Sequence, residues 1–251
     1  MIVIKKLCKR YGSLEVIKDL DLEVYEGETL VILGRSGVGK SVLLRLILGI
    51  ELPDSGSIEI DGKKISEMNQ DELVEMRRQM GMLFQSSALF DSLNVKENVA
   101  FFLRQHQNNL SEKEISDKVA EALEKVDLKG IESKMPSDLS GGMRKRVALA
   151  RVTIYRPRIL LYDEPTTGLD PITAMQINDM INNIQKELKG TSIVVTHDLP
   201  SARKVGNIIA FFDDKKIIHS GSFSDFLQFK DPKAQAFITN AAFTTEKFIN
   251  V

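Results

Sequence analysis

Residues 29–48 read Thr29-Leu-Val-Ile-Leu33, then Gly34-Arg35-Ser36-Gly37-Val38-Gly39-Lys40-Ser41, then Val42-Leu-Leu-Arg-Leu-Ile-Leu48. An apolar strand, a glycine-rich turn and an apolar helix follow one another, and the middle block matches the phosphate-binding pattern G-x-x-x-x-G-K-S. The glycines allow backbone N–H groups to surround an anion, and the helix N-terminus adds free donors and a partial positive charge. We therefore expect residues 34–41 to bind a nucleoside triphosphate, with Lys40 at its β- and γ-phosphates and Ser41 at Mg²⁺.

The composition is that of a globular chain with a sizeable core. The chain has 251 residues, 43% of them hydrophobic, which fits one large domain or a domain with an inserted lobe. Its formal net charge is −1, so it lacks the basic field that favours nucleic acid binding, and we expect no nucleic acid partner. Cys8 is its single cysteine, which fits a reducing compartment. No apolar window approaches the ~18 residues of a membrane span, so a membrane role would act through a partner.

Two regions of the chain carry strand patterns. Near the N-terminus, short β-branched or alternating runs at residues 2–4, 20–25 and 57–61 are separated by glycines, which predicts an antiparallel sheet. In the second half, continuous apolar runs alternate with helical patterns near 142–155 and 171–188, as expected for a buried parallel sheet. The strands predicted in this second region lie at residues 159–163, 192–196, 208–212 and 216–219.

The stretch between these regions is predicted to be helical. Its pattern favours helices at 71–79, 94–104 and 111–127, and Ser111 followed by Glu114 forms a capping box at the start of the last one. We find no convincing strand pattern in this stretch. The predicted fold class is therefore α/β: a P-loop NTPase core with a parallel sheet, an N-terminal antiparallel β subdomain and an inserted helical subdomain.

Chemically active side chains follow predicted strands. Asp163 and Glu164 end one strand, and His197 comes directly after the next. Because the carboxyl ends of parallel strands share one edge of a sheet, we expect these residues to converge with Gly34 and its loop. One carboxylate suits the Mg²⁺ held by Ser41, so we assign Asp163 to the metal. We assign Glu164 as the base that takes a proton from a water attacking the γ-phosphate.

A second anion-binding pattern is Leu139-Ser140-Gly141-Gly142-Met143, which precedes a helix. Ser140 suits the N-cap position, and the two glycines expose the first N–H groups of the helix. The basic triplet Arg144-Lys145-Arg146 follows in the first turns, where cations oppose the helix dipole. This placement fits either a nearby anion or a solvated helix face.

The order of these motifs resembles that of the ATP-binding subunit of ABC transporters over residues 1 to about 225. The order is the glycine loop, an isolated glutamine at Gln85, Leu-Ser-Gly-Gly, a strand ending in Asp-Glu, and a histidine. The resemblance implies a head-to-tail dimer of two copies that binds two ATP molecules with Mg²⁺. Each ATP would lie between the 34–41 loop of one copy and Ser140, Gly141 and Gly142 of the other.

The same resemblance implies roles for four further residues. Tyr11 would stack on adenine, although packing on an edge strand would also explain it. Gln85 would contact Mg²⁺ and the attacking water, and His197 would hydrogen-bond the γ-phosphate and hold Glu164 in line. Asp170 would lie in a loop that crosses the dimer interface, and its place before a proline also suits a helix N-cap.

The chain departs from the family pattern at Met143, where the family usually has Gln. The departure removes one polar side chain near the partner's nucleotide. The backbone donors and the Ser140 hydroxyl are unchanged, so we expect anion binding and ATP hydrolysis to persist.

Two stretches, residues 81–99 and 139–147, are similar to the ATPase of the Mla-type, MCE-linked lipid transporters. That resemblance implies an integral membrane permease and an MCE-domain lipid-binding protein as partners, with phospholipid as the cargo. It places the chain as a peripheral protein on the cytoplasmic face of a bacterial inner membrane. The segment after Gln85 would receive a helix of the permease, and its apolar residues Leu89, Phe90 and Leu93 suit either this groove or the core.

Other functions stay open at this stage. The nearest is the ATPase of an amino-acid or other solute importer. A soluble ABC ATPase of translation or DNA repair is less favoured, because such proteins usually carry tandem ATPase domains or long coiled coils, and this chain shows neither. A P-loop kinase or GTPase is disfavoured by Leu-Ser-Gly-Gly and the Asp-Glu pair.

We predict that residues 1–225 form an ABC-type nucleotide-binding domain, with a helical subdomain inserted at about 86–155, and that residues 226–251 form a C-terminal helical tail. Segment 223–251 is rich in phenylalanine, at Phe223, Phe226, Phe229, Phe237, Phe243 and Phe248. Its helices either pack on the core or dock onto a partner, such as a small regulatory subunit.

Overall fold

The computed structural model describes residues 1–107 and 109–246. The strands are β1 (Ile2–Tyr11), β2 (Leu14–Val24), β3 (Thr29–Leu33), β4 (Ser55–Ile60), β5 (Lys63–Lys64), β6 (Met80–Leu83), β7 (Ile159–Asp163), β8 (Thr191–Thr196), β9 (Ile208–Asp213) and β10 (Lys216–Gly221). The helices are α1 (Lys40–Ile47), α2 (Gln70–Arg78), α3 (Val95–His106), α4 (Glu112–Glu124), α5 (Gly141–Thr153), α6 (Pro171–Leu188), α7 (Leu199–Val205), α8 (Phe223–Gln228) and α9 (Pro232–Glu246).

These strands form two sheets, as the sequence predicts. A four-stranded antiparallel sheet has the order β2-β1-β4-β5. A six-stranded sheet has the order β10-β9-β3-β8-β7-β6, with parallel pairing throughout except for β10, which runs antiparallel to β9. The α/β class, the parallel core and the N-terminal antiparallel subdomain are therefore confirmed.

The six-stranded sheet is buried on both faces. Along β3, Leu30 and Ile32 face a core shared with α1 and the antiparallel sheet. Val31 and Leu33 face the opposite core, which α5, α6 and α7 cover. Burial of successive residues on opposite faces follows from the two-residue period of a strand, and it makes the whole strand apolar. The carboxyl edge of this sheet is thereby fixed between two packed layers.

The middle of the chain is mostly helical, with one exception. The capping box of Ser111 and Glu114 begins α4, as predicted. The expectation of no strand here is wrong, because β6 adds to the edge of the core sheet beside β7. Its four residues, Met-Gly-Met-Leu, include no β-branched or aromatic side chain, so the local strand signal is weak. Helices α3 and α4 follow β6, and the predicted limits of the helical subdomain stay a prediction.

The C-terminal helices pack on the core sheet. Phe226 on α8 and Phe237 on α9 are buried, and both rings contact Phe211 on β9, with centroids 5.2 and 5.3 Å away. These contacts favour packing over docking for this part of the predicted tail, whose start at residue 226 falls inside α8. Residues 247–251, including Phe248, lie outside the described residues. Within the described part of the chain, no helix is both long enough and apolar enough to cross a membrane.

Candidate functional site

The predicted phosphate loop, the acid pair and the histidine meet at the carboxyl edge of the core sheet. Residues from each of these three groups line a cavity of about 330 Å³. Its lining consists of Ser36, Gly37, Gly39, Lys40, Ser41, Val42, Gln85, Glu164, Thr167 and His197. The residues that follow the parallel strands therefore lie close together, as the sequence pattern predicts.

Close approach and backbone geometry explain two glycines of the loop. A side chain at Gly34 would place its Cβ 2.5 Å from the carbonyl oxygen of Phe212 on β9. Gly39 has φ of 114°, which L side chains rarely adopt, and it precedes the first residue of α1. Arg35 and Ser36 are exposed. The Val38 side chain packs against the core, so Val38 can face an anion with its backbone but not with its side chain.

Lys40 is buried, with 5% exposure, at the start of α1. Its ammonium donates to the carbonyl oxygens of Gly34 and Arg35, both at 2.8 Å, and lies 3.2 Å from Glu164 Oε1. Burial lowers the pKa of Lys40, and the charge of Glu164 opposes that shift. The ammonium is therefore held at the mouth of the loop, where a phosphate would meet it.

Glu164 reaches the cavity because its backbone leaves the strand conformation. Its φ is 47°, in the left-handed region that disfavours side chains by ~1–3 kcal/mol. Its Oε2 lies 2.8 Å from His197 Nδ1 and accepts from Thr167 Oγ1 at 3.0 Å. Burial by itself would raise the pKa of the Glu164 carboxyl, but the hydrogen bond with His197 and the charge of Lys40 lower it. The same hydrogen bond raises the pKa of His197.

Ser41 and Asp163 form the candidate metal site. The Ser41 hydroxyl donates to Asp163 Oδ1 at 2.7 Å, and burial raises the pKa of the Asp163 carboxyl despite that bond. Among the described residues, no group of three or more His, Cys, Asp or Glu is arranged to hold a metal ion. A hydroxyl and one carboxylate nevertheless fit Mg²⁺, which keeps several waters and takes substrate phosphates as further ligands.

Gln85 lines the cavity, as the sequence predicts. The hydrogen bonds that hold its backbone in place were not predicted. Lys145 on α5 is buried and donates to the carbonyl oxygens of Gln85, Phe84 (3.3 Å) and Glu164 (3.5 Å). Burial lowers the pKa of Lys145 to about 8, against the charges of Asp163 and Glu164. Neither interpretation of the basic triplet holds for Lys145, which points into its own chain.

The second anion-binding loop lies at a different cavity of about 440 Å³. Ser140 caps α5, accepting from the Met143 N–H at 3.2 Å, and Asp170 caps α6, accepting from the N–H groups of Ile172 and Thr173. Both caps confirm predicted local geometry. This cavity is lined by Leu128, Ser140, Gly141, Gly142, Met143, Arg146, Gly168, Leu169, Asp170 and Thr173, and none of them lines the first cavity.

Tyr11 is not among the residues that line either of these cavities. It ends β1 with 43% exposure, and its hydroxyl donates to Glu51, which also accepts from Arg45 of α1 at 2.6 Å. Lys9 Nζ lies over the Tyr11 ring, 5.4 Å from its centroid, and adenine stacking by Tyr11 stays a prediction.

Sequence reasoning missed one group that contacts Glu164 and one buried polar cluster. Thr167 was not singled out, although a hydroxyl three residues after an acid in a tight turn is a local signal. Buried polar contacts also join the segments that carry Glu164 and His197. Ser201 on α7 contacts Thr166 and accepts a hydrogen bond from Asn178 on α6. No sequence signal identifies that cluster, since its members come from separate elements.

Comparison with known proteins agrees with this geometry. The family model described as ABC transporter matches residues 17–167. The chain is 40% identical over 238 residues to the intermembrane phospholipid transport system ATP-binding protein MlaF of Haemophilus influenzae, covering 95% of this chain and 90% of that protein. It is 40% identical over 225 residues to the methionine import ATP-binding protein MetN of Clostridium tetani, covering 90% of this chain and 70% of that protein.

A solved structure has the same fold. The dimeric post-hydrolysis state of the ATP-binding cassette MJ0796, bound to ADP and Pi, superposes with a TM-score of 0.82 and 32% sequence identity. The match covers 89% of this chain and 99% of that chain.

Proposed function

The chain belongs to the ABC transporter family and is an ATPase, and from that premise we propose that two copies drive a phospholipid transporter. The observation that carries the catalytic part is the separation of two anion-binding loops on one chain. The 34–41 loop and the Ser140 loop line different cavities. A second copy, placed head to tail, brings its Ser140 loop against the first copy's phosphate loop and completes each site.

Exposed apolar side chains near the Asp170 cap in sequence support the proposed dimer. Ile172 and Met175 on α6 are 72% and 61% exposed, close in sequence to the Asp170 cap. Exposed apolar side chains beside a polar loop suit a protein interface. The solved cassette with the same fold is dimeric and binds ADP and Pi, which supports the same arrangement here.

The proposed reaction is hydrolysis of the bond between the β- and γ-phosphates. A water attacks the γ-phosphate, Glu164 takes its proton, and ADP leaves. The γ-phosphate competes with Glu164 Oε1 for the Lys40 ammonium, which lies 3.2 Å from that oxygen. ATP binding thereby frees one carboxylate oxygen for the water, while His197 and Thr167 still hold the other.

Electrostatics provide the rest of the proposed rate enhancement. Lys40 and the partner copy's Ser140 loop would balance charge on the transferring phosphoryl group. Mg²⁺, held by Ser41 and Asp163, would neutralise charge on the β- and γ-phosphate oxygens. Gln85, which lines the same cavity as Glu164, would orient the water.

The phospholipid part of the proposal is supported by the likeness to MlaF, which spans nearly the whole of both chains. On this proposal the ATPase binds an integral permease and an MCE-domain lipid-binding protein at the cytoplasmic face of an inner membrane. Phe90 and Phe101, 41% and 38% exposed with ring centroids 4.6 Å apart, lie in and after the segment that would meet the permease.

A solute importer is the second candidate, because MetN is equally identical to this chain over 225 residues. Purification of the tagged chain from gently solubilised native membranes separates the two. A permease with an MCE-domain protein and bound phospholipid supports lipid transport, and a permease with a solute-binding protein supports import. The same preparation tests whether a small regulatory subunit binds the C-terminal helices. Recovery without any membrane protein would overturn the transporter proposal.

A further inference from the structure

Lys145 is a buried cation that no motif explains. It lies on α5 with 4% exposure, and its ammonium donates to backbone carbonyl oxygens at Phe84, Gln85 and Glu164. Within the part of the chain that the structure describes, its ammonium forms no ion pair with a carboxylate. A buried ammonium is unfavourable unless its hydrogen bonds are satisfied, so three carbonyl acceptors are a specific arrangement.

The acceptors belong to two separate segments of the active site. Gln85 follows β6, and Glu164 follows β7. Their side chains both line the cavity where the γ-phosphate would be attacked. Lys145 thus joins, through their main chains, the two residues that face the attacking water in the proposed reaction.

We propose that Lys145 is a positioning residue of the ATPase site, which fixes the backbone of Gln85 relative to that of Glu164. The proposal rests on the proposed roles of those two residues, and it makes Lys145 a link between them and α5. Because Ser140 caps α5, a partner's nucleotide bound there acts on the same helix. Contact with the partner copy can therefore alter the positions of both Gln85 and Glu164 through α5.

Backbone geometry in the two segments supports this role. Glu164 has a left-handed φ of 47°, and Lys145 binds its carbonyl oxygen while Val195 accepts from its N–H at 2.9 Å. Ser87 and Ala88, just beyond Gln85, are also left-handed, with φ of 67° and 45°. Strained backbone persists only where surrounding contacts hold it.

A second cation of α5 extends the attachment. Arg151 donates to the carbonyl oxygens of Ser87 at 2.9 Å and Ala88 at 2.6 Å. Helix α5 therefore holds the segment from residue 84 to residue 88 at both ends. Of these two cations, Lys145 also reaches the Glu164 carbonyl oxygen, so it adds a direct link between the two water-facing segments to the pairing of β6 with β7.

The test compares Lys145→Met with Lys204→Met in the complete, purified ATPase complex. Methionine keeps much of the apolar stem and removes the donors. Lys204 is a matched control, because its side chain is 46% exposed and its ammonium forms a surface ion pair with Asp179. We expect Lys145→Met to lower kcat by about 10²-fold, the order expected for a small misplacement of reacting groups, with KM for ATP changed by less than about threefold. Lys145→Arg, which keeps a cationic donor, should recover most of that loss.

A double-mutant cycle with Gln85→Ala distinguishes positioning from general support of the fold. If Lys145 acts through Gln85, Lys145→Met should lower kcat much less in the Gln85→Ala background than in the parent. Multiplicative losses in the cycle, or losses of kcat and ATP affinity together with thermal stability, would overturn the proposal. Parent-like kcat in Lys145→Met would overturn it as well.

Glu164→Gln, measured in the same preparation, separates this inference from the function on which it rests. Loss of turnover in Glu164→Gln with parent-like turnover in Lys145→Met refutes only the positioning role. Retained turnover in Glu164→Gln refutes the base assignment on which this inference rests.

Discussion

Glu164→Gln tests the proposed base with little change of shape. In the structure, Glu164 Oε1 pairs with Lys40 at 3.2 Å, and Oε2 contacts His197 at 2.8 Å and Thr167 at 3.0 Å. A glutamine can keep its oxygen on Lys40 and direct its amide N–H groups to Thr167 and a neutral His197. The variant should therefore fold and bind ATP while lacking a group that can accept the proton.

The expected changes differ between turnover, affinity and stability. Loss of a general base lowers kcat by ~10²–10⁴-fold, equivalent to ~2.7–5.4 kcal/mol of transition-state free energy. The Kd for ATP should change by less than about threefold, since Lys40 and the loop backbone hold the phosphates. Removing one partner of a buried ion pair destabilises by ~3–5 kcal/mol when the other is left alone. Lys40 keeps two carbonyl acceptors at 2.8 Å, so we expect ~1–2 kcal/mol instead.

Phosphate release, ATP titration and urea unfolding measure the three quantities on one preparation. Glu75→Gln is the matched control, because Glu75 is exposed on α2 and its pair with Arg78 is a surface contact of little energetic weight. A folded Glu164→Gln variant with kcat within about tenfold of the parent would refute the base assignment. A variant that loses ATP binding and turnover together would show that Glu164 acts in binding.

Three further predictions concern stability. The hydrogen bond with Glu164 raises the pKa of His197, so this bond stabilises the fold fully below the ordinary histidine pKa and less as pH rises through the folded-state pKa. In urea unfolding, the difference in unfolding free energy between the parent and His197→Ala should therefore be smaller at pH 8.5 than at pH 6. A difference that grows with pH would contradict this. The pH-dependent part should stay below ~1 kcal/mol, because the imidazole is 46% exposed. Asp170→Ala removes the α6 cap and should lower the free energy of unfolding by ~1–2 kcal/mol, whereas no measurable loss would argue against the cap. Phe237→Ala should cost ~2–4 kcal/mol of unfolding free energy if α9 packs as observed, and a thermal unfolding curve equal to the parent's would contradict that packing.

Much of the site follows from local sequence patterns. Strand ends locate Asp163 and His197, because a buried parallel strand reads as an apolar run with a clear last residue. Helix caps at Ser140 and Asp170 are likewise local, since a cap side chain binds N–H groups two or three residues ahead. The fold class and the position of the phosphate loop were therefore accessible without coordinates.

Other features depend on tertiary packing and carry no local signal. Strand β6 forms because β7 lies beside it, although its methionines and glycine favour no strand. The sequence analysis did not predict helix α7, because its seven residues are too few to show a helical period. Asp198 before Leu-Pro is a helix-start signal that could have identified it. Lys145 reads as a surface cation in sequence, and its burial follows from tertiary contacts of α5 with the segments that come after β6 and β7.

The most direct measurement asks whether two copies complete one active site. A copy with Lys40→Met is co-expressed with a differently tagged copy carrying Ser140→Arg, and complexes holding one of each are purified by both tags. Each variant paired with itself should be inactive. The mixed pair has one site with both an intact Lys40 and an intact Ser140, so about half of the parent ATPase activity is predicted, as expected for a two-fold symmetric pair. No activity in the mixed pair, or full activity when either variant pairs with itself, would contradict a site shared between two copies.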